Sequence, residues 1–387
     1  MEYDAVVIGA GPAGLMAARK IAENGFSVLI LEKNKDLGIR ACAEAVSASI
    51  FESAEIPFSQ SLISNSINGA YIYPPDENKF VKILGGNYKG YILNKPLFLY
   101  ALASIAVSKG CDLKMQCEVI DIKFLNNYAH SLKYRYKNEE NIINFKYLIG
   151  ADGVGSIVAR LCGFDMSNYE IIPTIQYVMV NCNIQEKDII KIYLGNEVAP
   201  KGYAWIFAKN EYTANVGIGV RGGLAKLYLD RFIEKHSEIF KNSRIIKEGG
   251  GGVPIGGQLK EIVKGNILLC GDAAGQVIPL TGGGIRSSIE AGKVAGETVA
   301  KALEENDSSI LKEYPERYRN PWGERISKSL KVLRIFEKLS DEDFNNLAEI
   351  LVGDDIVDLA NGLDLKRVAK KLMSHPIFAL KIASKLI

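Results

Sequence analysis

The sequence predicts an α/β protein that combines a Rossmann-type nucleotide-binding domain, an antiparallel β-sheet domain and a helical C-terminal segment. Three observations support this prediction. The apolar run 5–8 leads directly into a glycine-rich turn, as the first strand of a βαβ unit does. Two more apolar stretches end in glycine-rich turns, at Gly150 and Gly271. Strand-like runs such as 175–183 and 189–194 occupy the middle of the chain.

The composition is that of a folded globular protein. The 387 residues are enough for two or three domains. Hydrophobic residues make up 48% and charged residues 24%, which excludes a disordered or collagen-like chain. The 47 Lys and Arg against 45 Asp and Glu give a net charge of +2, too small a field to attract nucleic acid. We therefore predict no nucleic-acid partner.

The N-terminal glycines form a G-x-G-x-x-G motif at Gly9, Gly11 and Gly14. A helical pattern follows it, and then a second apolar strand that ends in Glu32. In such a unit the glycines permit a tight turn and a close approach of a pyrophosphate, while the acid binds a ribose. The order of these elements predicts dinucleotide binding and leaves both FAD and NAD open.

A second G-x-G-x-x-G begins at Gly217 and continues through Gly219 to Gly222. Its glycines fall inside a strand-like run, and no second βαβ strand ending in an acid follows. We interpret this match as chance, so the sequence predicts no separate nicotinamide-binding domain.

Two acidic residues follow the later apolar stretches. Asp152 lies in the turn after the first stretch, and Asp272 lies in the turn after the second. The triple glycine at 282–284 then precedes a helix that begins near Ile285. Asp272 can accept a hydrogen bond from a ribityl hydroxyl, and the helix N-terminus can face the N1–C2 oxygen edge of a flavin. The alternative is a tight strand–helix connection.

Together these motifs resemble those of FAD-dependent oxidoreductases with the aromatic-hydroxylase fold. Within that group the chain is most similar to the geranylgeranyl reductase family, especially the archaeal digeranylgeranylglycerophospholipid reductases. Three segments support the narrower resemblance: 271–285, the aromatic alternation 203–207 with its partner 217–219, and 40–45. The chain departs from the family pattern at Ala41, Ala43, Ala45, Lys95 and Ala208.

The resemblance implies FAD as the cofactor and assigns its contacts. The implied cofactor-binding residues are Gly9, Gly11, Ala13, Gly14, Glu32, Lys33, Arg40, Cys42, Ala43, Ala45, Lys95, Val119, Asp152, Asp272, Gly283, Gly284 and Ile285. Cys42, beside the flavin, is the one candidate catalytic residue; its alternative role is that of a small buried hydrophobe.

The substrate residues implied by the resemblance are Tyr203, Trp205, Phe207, Gly217 and Gly219. The three aromatic residues alternate, so they project from one face of a strand. On a sheet beside the flavin they would form an apolar wall suited to a long hydrocarbon. The alternative for these side chains is an ordinary sheet core.

The motifs also divide the chain. We predict a discontinuous FAD-binding domain of residues 1–65, 91–165 and 260–305, a substrate domain of 66–90 and 166–259, and a helical segment, 306–387. The basic residues of 366–387, with no acid among them, predict either contact with a membrane surface or a solvated helix that caps the domain.

The function implied is reduction of C=C bonds in geranylgeranyl chains of membrane-lipid precursors by hydride transfer from reduced flavin. The electron donor is NAD(P)H or reduced ferredoxin, and the proton comes from water or the flavin, since no histidine lies in a flavin motif. The alternatives are an FAD-dependent monooxygenase of an aromatic or apolar substrate, a flavin halogenase, and a non-catalytic carrier of prenyl lipids.

The six cysteines contain no C-x-x-C pair, and their spacing predicts no metal site. Single buried thiols favour a reducing compartment. Residues 1–4 lack the basic region of a secretion signal, and no stretch of about 18 apolar residues occurs. We therefore expect a cytoplasmic protein, with peripheral membrane contact through 366–387 as an addition.

Overall fold

The computed structural model describes residues 2–85 and 88–375. Within them the chain forms eighteen β-strands, which group into three sheets. The strands are β1 (Glu2–Ile8), β2 (Val28–Leu31), β3 (Ala45–Ser47), β4 (Ile63–Ile67), β5 (Gly69–Tyr73), β6 (Val81–Leu84), β7 (Gly90–Leu93), β8 (Asp112–Lys114), β9 (Cys117–Leu125), β10 (Tyr128–Tyr136), β11 (Glu139–Gly150), β12 (Ile171–Val180), β13 (Ile189–Leu194), β14 (Tyr203–Ala208), β15 (Thr213–Gly219), β16 (Arg244–Pro254), β17 (Val263–Lys264) and β18 (Ile267–Leu269).

Twelve α-helices lie within the same residues. They are α1 (Pro12–Glu23), α2 (Ile50–Ala54), α3 (Lys95–Ser108), α4 (Ile157–Leu161), α5 (Ala225–Lys235), α6 (Ser237–Phe240), α7 (Ile285–Glu304), α8 (Glu313–Tyr318), α9 (Glu324–Phe336), α10 (Asp341–Ile350), α11 (Gly353–Asn361) and α12 (Leu365–Met373). Short 3₁₀ turns occupy Gln60–Leu62, Gly271–Ala274 and Ser308–Lys312, and a π-type turn occupies Arg319–Gly323.

The eight-stranded sheet contains the predicted βαβ unit. Its main order is β17-β18-β11-β1-β2-β8, and β1 pairs in parallel with both β2 and β11. The antiparallel strands β9 and β10 extend from β11. The apolar runs 5–8 of β1 and 28–31 of β2 and the last four residues of β11, 147–150, are buried in one core with residues of α1, α3 and α7, as expected for parallel strands covered on both faces. The helix and both strands predicted around the first glycine motif are confirmed.

The seven-stranded sheet has the order β16-β12-β15-β14-β13-β5-β6. Its pairs are antiparallel except that β13 pairs in parallel with β5. Side chains alternate between its two faces, so Tyr177, Val216 and Ile218 meet Leu229 and Phe232 of α5 on one side. The opposite face carries the aromatic alternation and faces a third, three-stranded sheet of order β3-β7-β4.

The C-terminal part of the described chain is helical, as predicted, and has its own small core around Leu339 and Leu347. The predicted domain boundaries stay a prediction. Within residues 2–85 and 88–375, no helix combines the length and the apolar composition that crossing a bilayer requires.

Candidate active site

The three glycines of the G-x-G-x-x-G turn between β1 and α1 have different surroundings. A Cβ on Gly14 would lie 1.9 Å from the carbonyl oxygen of Gly9, and a Cβ on Gly9 would lie 2.4 Å from the carbonyl oxygen of Ala151. A Cβ on Gly11 would meet no atom of the described residues within 4 Å, its two chain neighbours aside. Gly9 and Gly14 therefore permit close packing of strand and helix, whereas Gly11 borders open space at the N-terminus of α1. Ala13, in the first turn of α1, is buried. The space beside Gly11 fits a pyrophosphate.

Glu32 follows β2 and is buried. Its Oε2 accepts a hydrogen bond from the backbone N–H of Ala10 (2.9 Å), and its Oε1 accepts from the backbone N–H (2.9 Å) and side-chain amide (2.5 Å) of Asn34. A carboxylate can accept about four hydrogen bonds, so one acceptor position is left for a ribose hydroxyl.

Two further predicted residues lie near Glu32. The backbone N–H of Cys117 donates to the carbonyl oxygen of Glu32 at 2.8 Å, which places the start of β9 beside it. Val119 lies two residues along β9 and is buried. Lys33 follows Glu32 and is exposed.

Asp152 lies in the turn after β11. Its Oδ2 accepts hydrogen bonds from the backbone N–H groups of Ile157 (2.6 Å) and Val158 (3.1 Å) at the start of α4. Its buried Oδ1 has no hydrogen-bond partner among the described residues. Burial raises the pKa of this carboxyl, although the hydrogen bonds that it accepts act in the opposite direction. Asp152 therefore fixes the turn and keeps one acceptor oxygen unused.

Asp272 lies close to two cationic side chains. Burial raises the pKa of its carboxyl, and the positive charges of Lys95 and Arg40 act in the opposite direction. The Nζ of Lys95 donates to the carbonyl oxygen of Arg40 at 3.2 Å. A Cβ on Gly153 would lie 3.0 Å from Nη1 of Arg40, so the guanidinium lies over the turn after β11. These two cations give the site an edge suited to an anionic diphosphate.

The triple-glycine turn leads into α7. Gly284 is the N-cap residue and Ile285 is the first helical residue. A Cβ on Gly284 would lie 3.3 Å from Oδ1 of Asp272, so the turn and this carboxylate are neighbours. Gly283, the residue before, is exposed. The N–H groups of the first turn of α7 and the helix dipole therefore point to where the polar edge of a flavin would lie.

The loop 40–44, which contains Cys42, crosses the sheet face opposite α5. The side-chain amide of Gln176 on β12 donates to the carbonyl oxygen of Cys42 at 3.0 Å. Cys42 is half-buried, as are Ala43 and Ala45, which pack against the cluster containing Trp205. The loop is therefore held against β12 and β14.

The aromatic alternation of β14 projects from one face, as predicted. Trp205 and Phe207 are only 7% and 6% exposed, whereas Tyr203 is half-buried. A Cβ on Gly217 would lie 2.3 Å from the indole of Trp205, so this glycine makes room for the ring. A Cβ on Gly219 would make only ordinary contacts, the nearest at 3.4 Å.

Tyr203 connects this face to the triple-glycine turn. Its hydroxyl donates to the carbonyl oxygen of Thr281. Burial, and then the neighbouring thiol of Cys42, raise the pKa of Tyr203 to about 12, so its phenol is protonated at neutral pH. The loop 40–44 and the turn before α7 therefore converge on Tyr203.

These features together fit a bound flavin nucleotide. The space at Gly11, the unused acceptors of Glu32 and Asp152, the cations beside Asp272 and the N-terminus of α7 match its pyrophosphate, sugar and ring edge. Among the described residues, no group of three His, Cys, Asp or Glu side chains is placed to hold a metal ion.

Two family models match the chain. Residues 2–206 match the model of an FAD binding domain, and residues 170–253 match that of the geranylgeranyl reductase catalytic domain. Digeranylgeranylglycerophospholipid reductase 2 of Methanopyrus kandleri is 37% identical, with 100% of both chains covered. The chain belongs to the digeranylgeranylglycerophospholipid reductase family. The corresponding reductase of Methanocaldococcus jannaschii is 36% identical and covers 98% of this chain and 97% of its own.

One solved structure agrees with membership of this reductase family. A geranylgeranyl bacteriochlorophyll reductase-like protein from Thermoplasma acidophilum superposes with a TM-score of 0.89 at 30% identity, covering 99% of both chains. The flavin-dependent brominase Bmp2 superposes with a TM-score of 0.74 at 16% identity over 94% of both chains, which shows a common fold alone. This member of the reductase family is a flavin-dependent oxidoreductase.

Several residues at this reductase site escape the sequence patterns. Gln176 and Asn215 fasten the loop 40–44 to the sheet, and Ile190 and Ile192 extend the apolar face onto β13. Gln176 and Asn215 are buried polar residues on apolar strands, which is the signal that could have indicated them. Their partners lie more than 130 positions away, so spacing alone does not reveal the contacts.

Proposed function

We propose that the protein is an FAD-dependent reductase that saturates the C=C bonds of geranylgeranyl chains in membrane-lipid precursors. The observation that carries the proposal is the meeting of an apolar sheet face with the flavin-site loops at Tyr203. The names of the relatives, which are reductases of digeranylgeranylglycerophospholipids, support the same substrate class.

FAD is the cofactor that we propose for the flavin site. Glu32 would bind the adenosine ribose, the turn at Gly11 would bind the pyrophosphate, and Asp272 would bind the ribityl chain. When bound and reduced, the flavin supplies a hydride to one alkene carbon while the other carbon takes a proton. Arg40 and Lys95 would neutralise the phosphates, and the N-terminus of α7 would stabilise negative charge at the ring edge.

We propose that the prenyl chain lies along half-buried apolar side chains rather than on the most buried aromatic rings. Trp205 and Phe207 pack against Ile67 and Ile92, so they form the floor of this face. Ile190, Ile192 and Tyr203 are half-buried and border that floor; we propose that they contact the hydrocarbon.

Positioning is the main catalytic contribution that we propose for the chain. An isolated alkene is not polarised by a neighbouring carbonyl, so the rate depends on holding it in line with the reducing atom. The apolar face would orient the chain and exclude water from the reacting carbons. Cys42 would lie beside the ring as part of the wall, with its carbonyl oxygen fixed by Gln176.

The cellular context is also a proposal. We propose a cytoplasmic enzyme whose electron donor is NAD(P)H or reduced ferredoxin. Part of the proposed membrane-binding segment faces the protein: Arg367 and Lys371 form ion pairs with buried Asp355 at 2.7 and 2.6 Å. Lys366 and Lys370 on α12 are exposed, and residues 376–387 lie outside the described residues.

The test is anaerobic mixing of the dithionite-reduced holoenzyme with a digeranylgeranyl phospholipid while the flavin absorbance is followed. We expect the lipid to reoxidise the flavin without oxygen. Absence of reoxidation would overturn the substrate class. Oxygen uptake stimulated by an aromatic compound, with no reaction of the lipid, would instead indicate a monooxygenase.

A substitution on β13 tests the proposed path of the chain. Ile192→Gln adds a polar group to the half-buried face and should raise KM for the lipid roughly 10-fold, because burying an unpaired amide is costly. Ile142→Gln is the matched control, since Ile142 is 67% exposed on β11. Equal kinetics in the two variants would contradict this path.

A further inference from the structure

Two amides on the seven-stranded sheet hold consecutive backbone groups of the loop 40–44. The amide of Gln176 donates to the carbonyl oxygen of Cys42 at 3.0 Å, and the amide of Asn215 donates to that of Ala43 at 3.2 Å. Gln176 is 7% exposed and Asn215 is 1% exposed. Buried amides remain in an apolar sheet only when their hydrogen bonds are made, so the loop and the sheet satisfy each other.

Glu44, the next residue of the loop, is held by an ion pair. Glu44 has a φ of +69°, which few residues other than glycine adopt, so this backbone is held by its surroundings. Its Oε2 accepts hydrogen bonds from Asn215 at 3.0 Å and from the ammonium of Lys209, which follows β14. The side chains of Glu44 and Lys209 are 12% and 22% exposed, so water screens this ion pair only in part.

The same network reaches the apolar face. The indole N–H of Trp205 donates to Oε1 of Gln176 at 3.3 Å. The side-chain oxygen of Gln176 therefore bonds to Trp205 in the floor of the proposed substrate face, and its side-chain nitrogen bonds to the loop beside the proposed flavin. Gln176, Trp205 and Asn215 project from the same face of the sheet, because Gln176 and Trp205 each pair with Gly217 and Asn215 pairs with Phe207.

We propose that Gln176, Asn215 and the Glu44–Lys209 ion pair are positioning residues that fix Cys42 and its loop relative to Trp205. They set the distance between the loop beside the proposed flavin and the apolar face that would hold the prenyl chain. Their role in turnover rests on the proposed function, whereas the fixing of the loop does not.

The rate at which Cys42 is alkylated measures directly how often the loop 40–44 opens. Cys42 is half-buried, while the other five cysteines are buried. Burial raises the pKa of Cys111 and Cys162 to about 12, which makes these thiols poor nucleophiles. Treatment of the holoenzyme with iodoacetamide, followed by peptide mass spectrometry, therefore reports on Cys42.

Gln176→Met removes both hydrogen bonds with little change in size. We expect alkylation of Cys42 to accelerate about 3- to 10-fold and the flavin absorption bands to shift, because the loop opens more often. For the lipid, kcat should fall by a similar factor while KM stays within about 2-fold. Asn183→Ala is the matched control: it removes an amide-to-carbonyl hydrogen bond, to Glu238, on the turn after β12.

Lys209→Gln provides a second test, at a position that is less buried than Gln176. It should also accelerate alkylation of Cys42, and Lys209→Arg, which keeps the charge, should restore the wild-type rate. Wild-type alkylation and wild-type flavin spectra in both Gln176→Met and Lys209→Gln would overturn the proposal. If Gln176→Met does not fold, Lys209→Gln decides alone. Faster alkylation in an enzyme whose wild type does not reduce the lipid would support the positioning role and overturn the proposed function.

Discussion

The glycines of the first turn show how one residue type serves two physical needs. Gly9 and Gly14 lack side chains because neighbouring backbone occupies the space. Gly11 has an ordinary extended backbone, with φ −78° and ψ −178°, and apart from its chain neighbours no described residue comes within 4 Å of where its Cβ would be. We therefore propose that its lack of a side chain serves a ligand rather than the fold.

Gly11→Ala should leave the fold intact and weaken flavin binding. The new methyl group meets no part of the described chain beyond its two neighbours in sequence, so we expect the Tm of the apoprotein to change by no more than about 2 °C. It enters the space proposed for the pyrophosphate, so flavin affinity measured by fluorescence titration should fall at least about 10-fold. Gly14→Ala is the contrasting variant, because its Cβ would overlap the Gly9 carbonyl; it should lower the Tm sharply. Unchanged flavin affinity in Gly11→Ala would refute this role.

The sequence predicts those residues of the site whose role is local. Glu32 directly follows the second strand, and Gly284 caps a helix, close to where their patterns place them. Gln176 and Lys209 could not be predicted in this way, because their roles depend on which strands become neighbours. Even Glu44, inside the segment 40–45, has a role only through Lys209 and Asn215 on the distant sheet.

At the scale of elements, helices α1 and α7 set the geometry of the site, since the N-terminus of each faces the proposed cofactor. They approach closely because α7 carries glycines where they touch. A Cβ on Gly292 would lie 2.1 Å from the carbonyl oxygen of Ala13, and one on Gly296 would lie 2.4 Å from that of Ala17. The backbones of the two helices are therefore in direct contact.

Gly292→Ala should force the helices apart. We expect a loss of about 1–3 kcal/mol in the free energy of unfolding, measured with urea, because the overlap is with backbone. Flavin affinity should fall as well, since both helix N-termini move. Gly323→Ala is the control: its nearest neighbour is 3.7 Å from the new Cβ, so its stability should stay within about 0.5 kcal/mol of wild type. A Gly292→Ala protein as stable as Gly323→Ala would contradict the direct contact.

The topology of the seven-stranded sheet was predicted only in part. Its strands and their alternation follow from apolar periodicity, but β5 joins β13 in parallel although 115 residues separate Tyr73 from Ile189. No local pattern records such a pairing, because it forms only when β5 and β13 meet across the sheet. Ile190 and Ile192 are half-buried residues of β13. Because their place depends on this pairing, the sequence patterns indicated the aromatic residues of β14 and not these two isoleucines.

At the scale of the whole molecule, a charge network joins α1 and α7 to the end of α2. The carboxylate of Glu55, which follows α2, forms ion pairs with three cationic side chains. They are Lys20 (2.6 Å) and Arg19 (3.2 Å) of α1 and Lys293 (2.5 Å) of α7. Burial alone would raise the pKa of Glu55, but the hydrogen bonds and charges of Lys20 and Lys293 lower it to about 2.

The lowered pKa of Glu55 predicts part of the acid sensitivity of the protein. A carboxylate whose folded pKa lies below its usual 4.5 contributes stability above that pH, and the contribution is lost as pH falls towards 2. Glu55→Gln should cost about 1–3 kcal/mol at pH 7 and flatten the fall in stability between about pH 4.5 and 2. Denaturant unfolding at a series of pH values measures both effects. Parallel pH profiles for the two proteins would be the contrary result.

The most direct test of the central claim is the mass of the lipid after reaction. The dithionite-reduced holoenzyme is incubated anaerobically with a digeranylgeranyl phospholipid, and the extracted lipid is analysed by mass spectrometry. We predict a product that has gained two hydrogens for each double bond reduced, at the expense of reduced flavin. A flavin that stays reduced beside a lipid of unchanged mass would contradict the account.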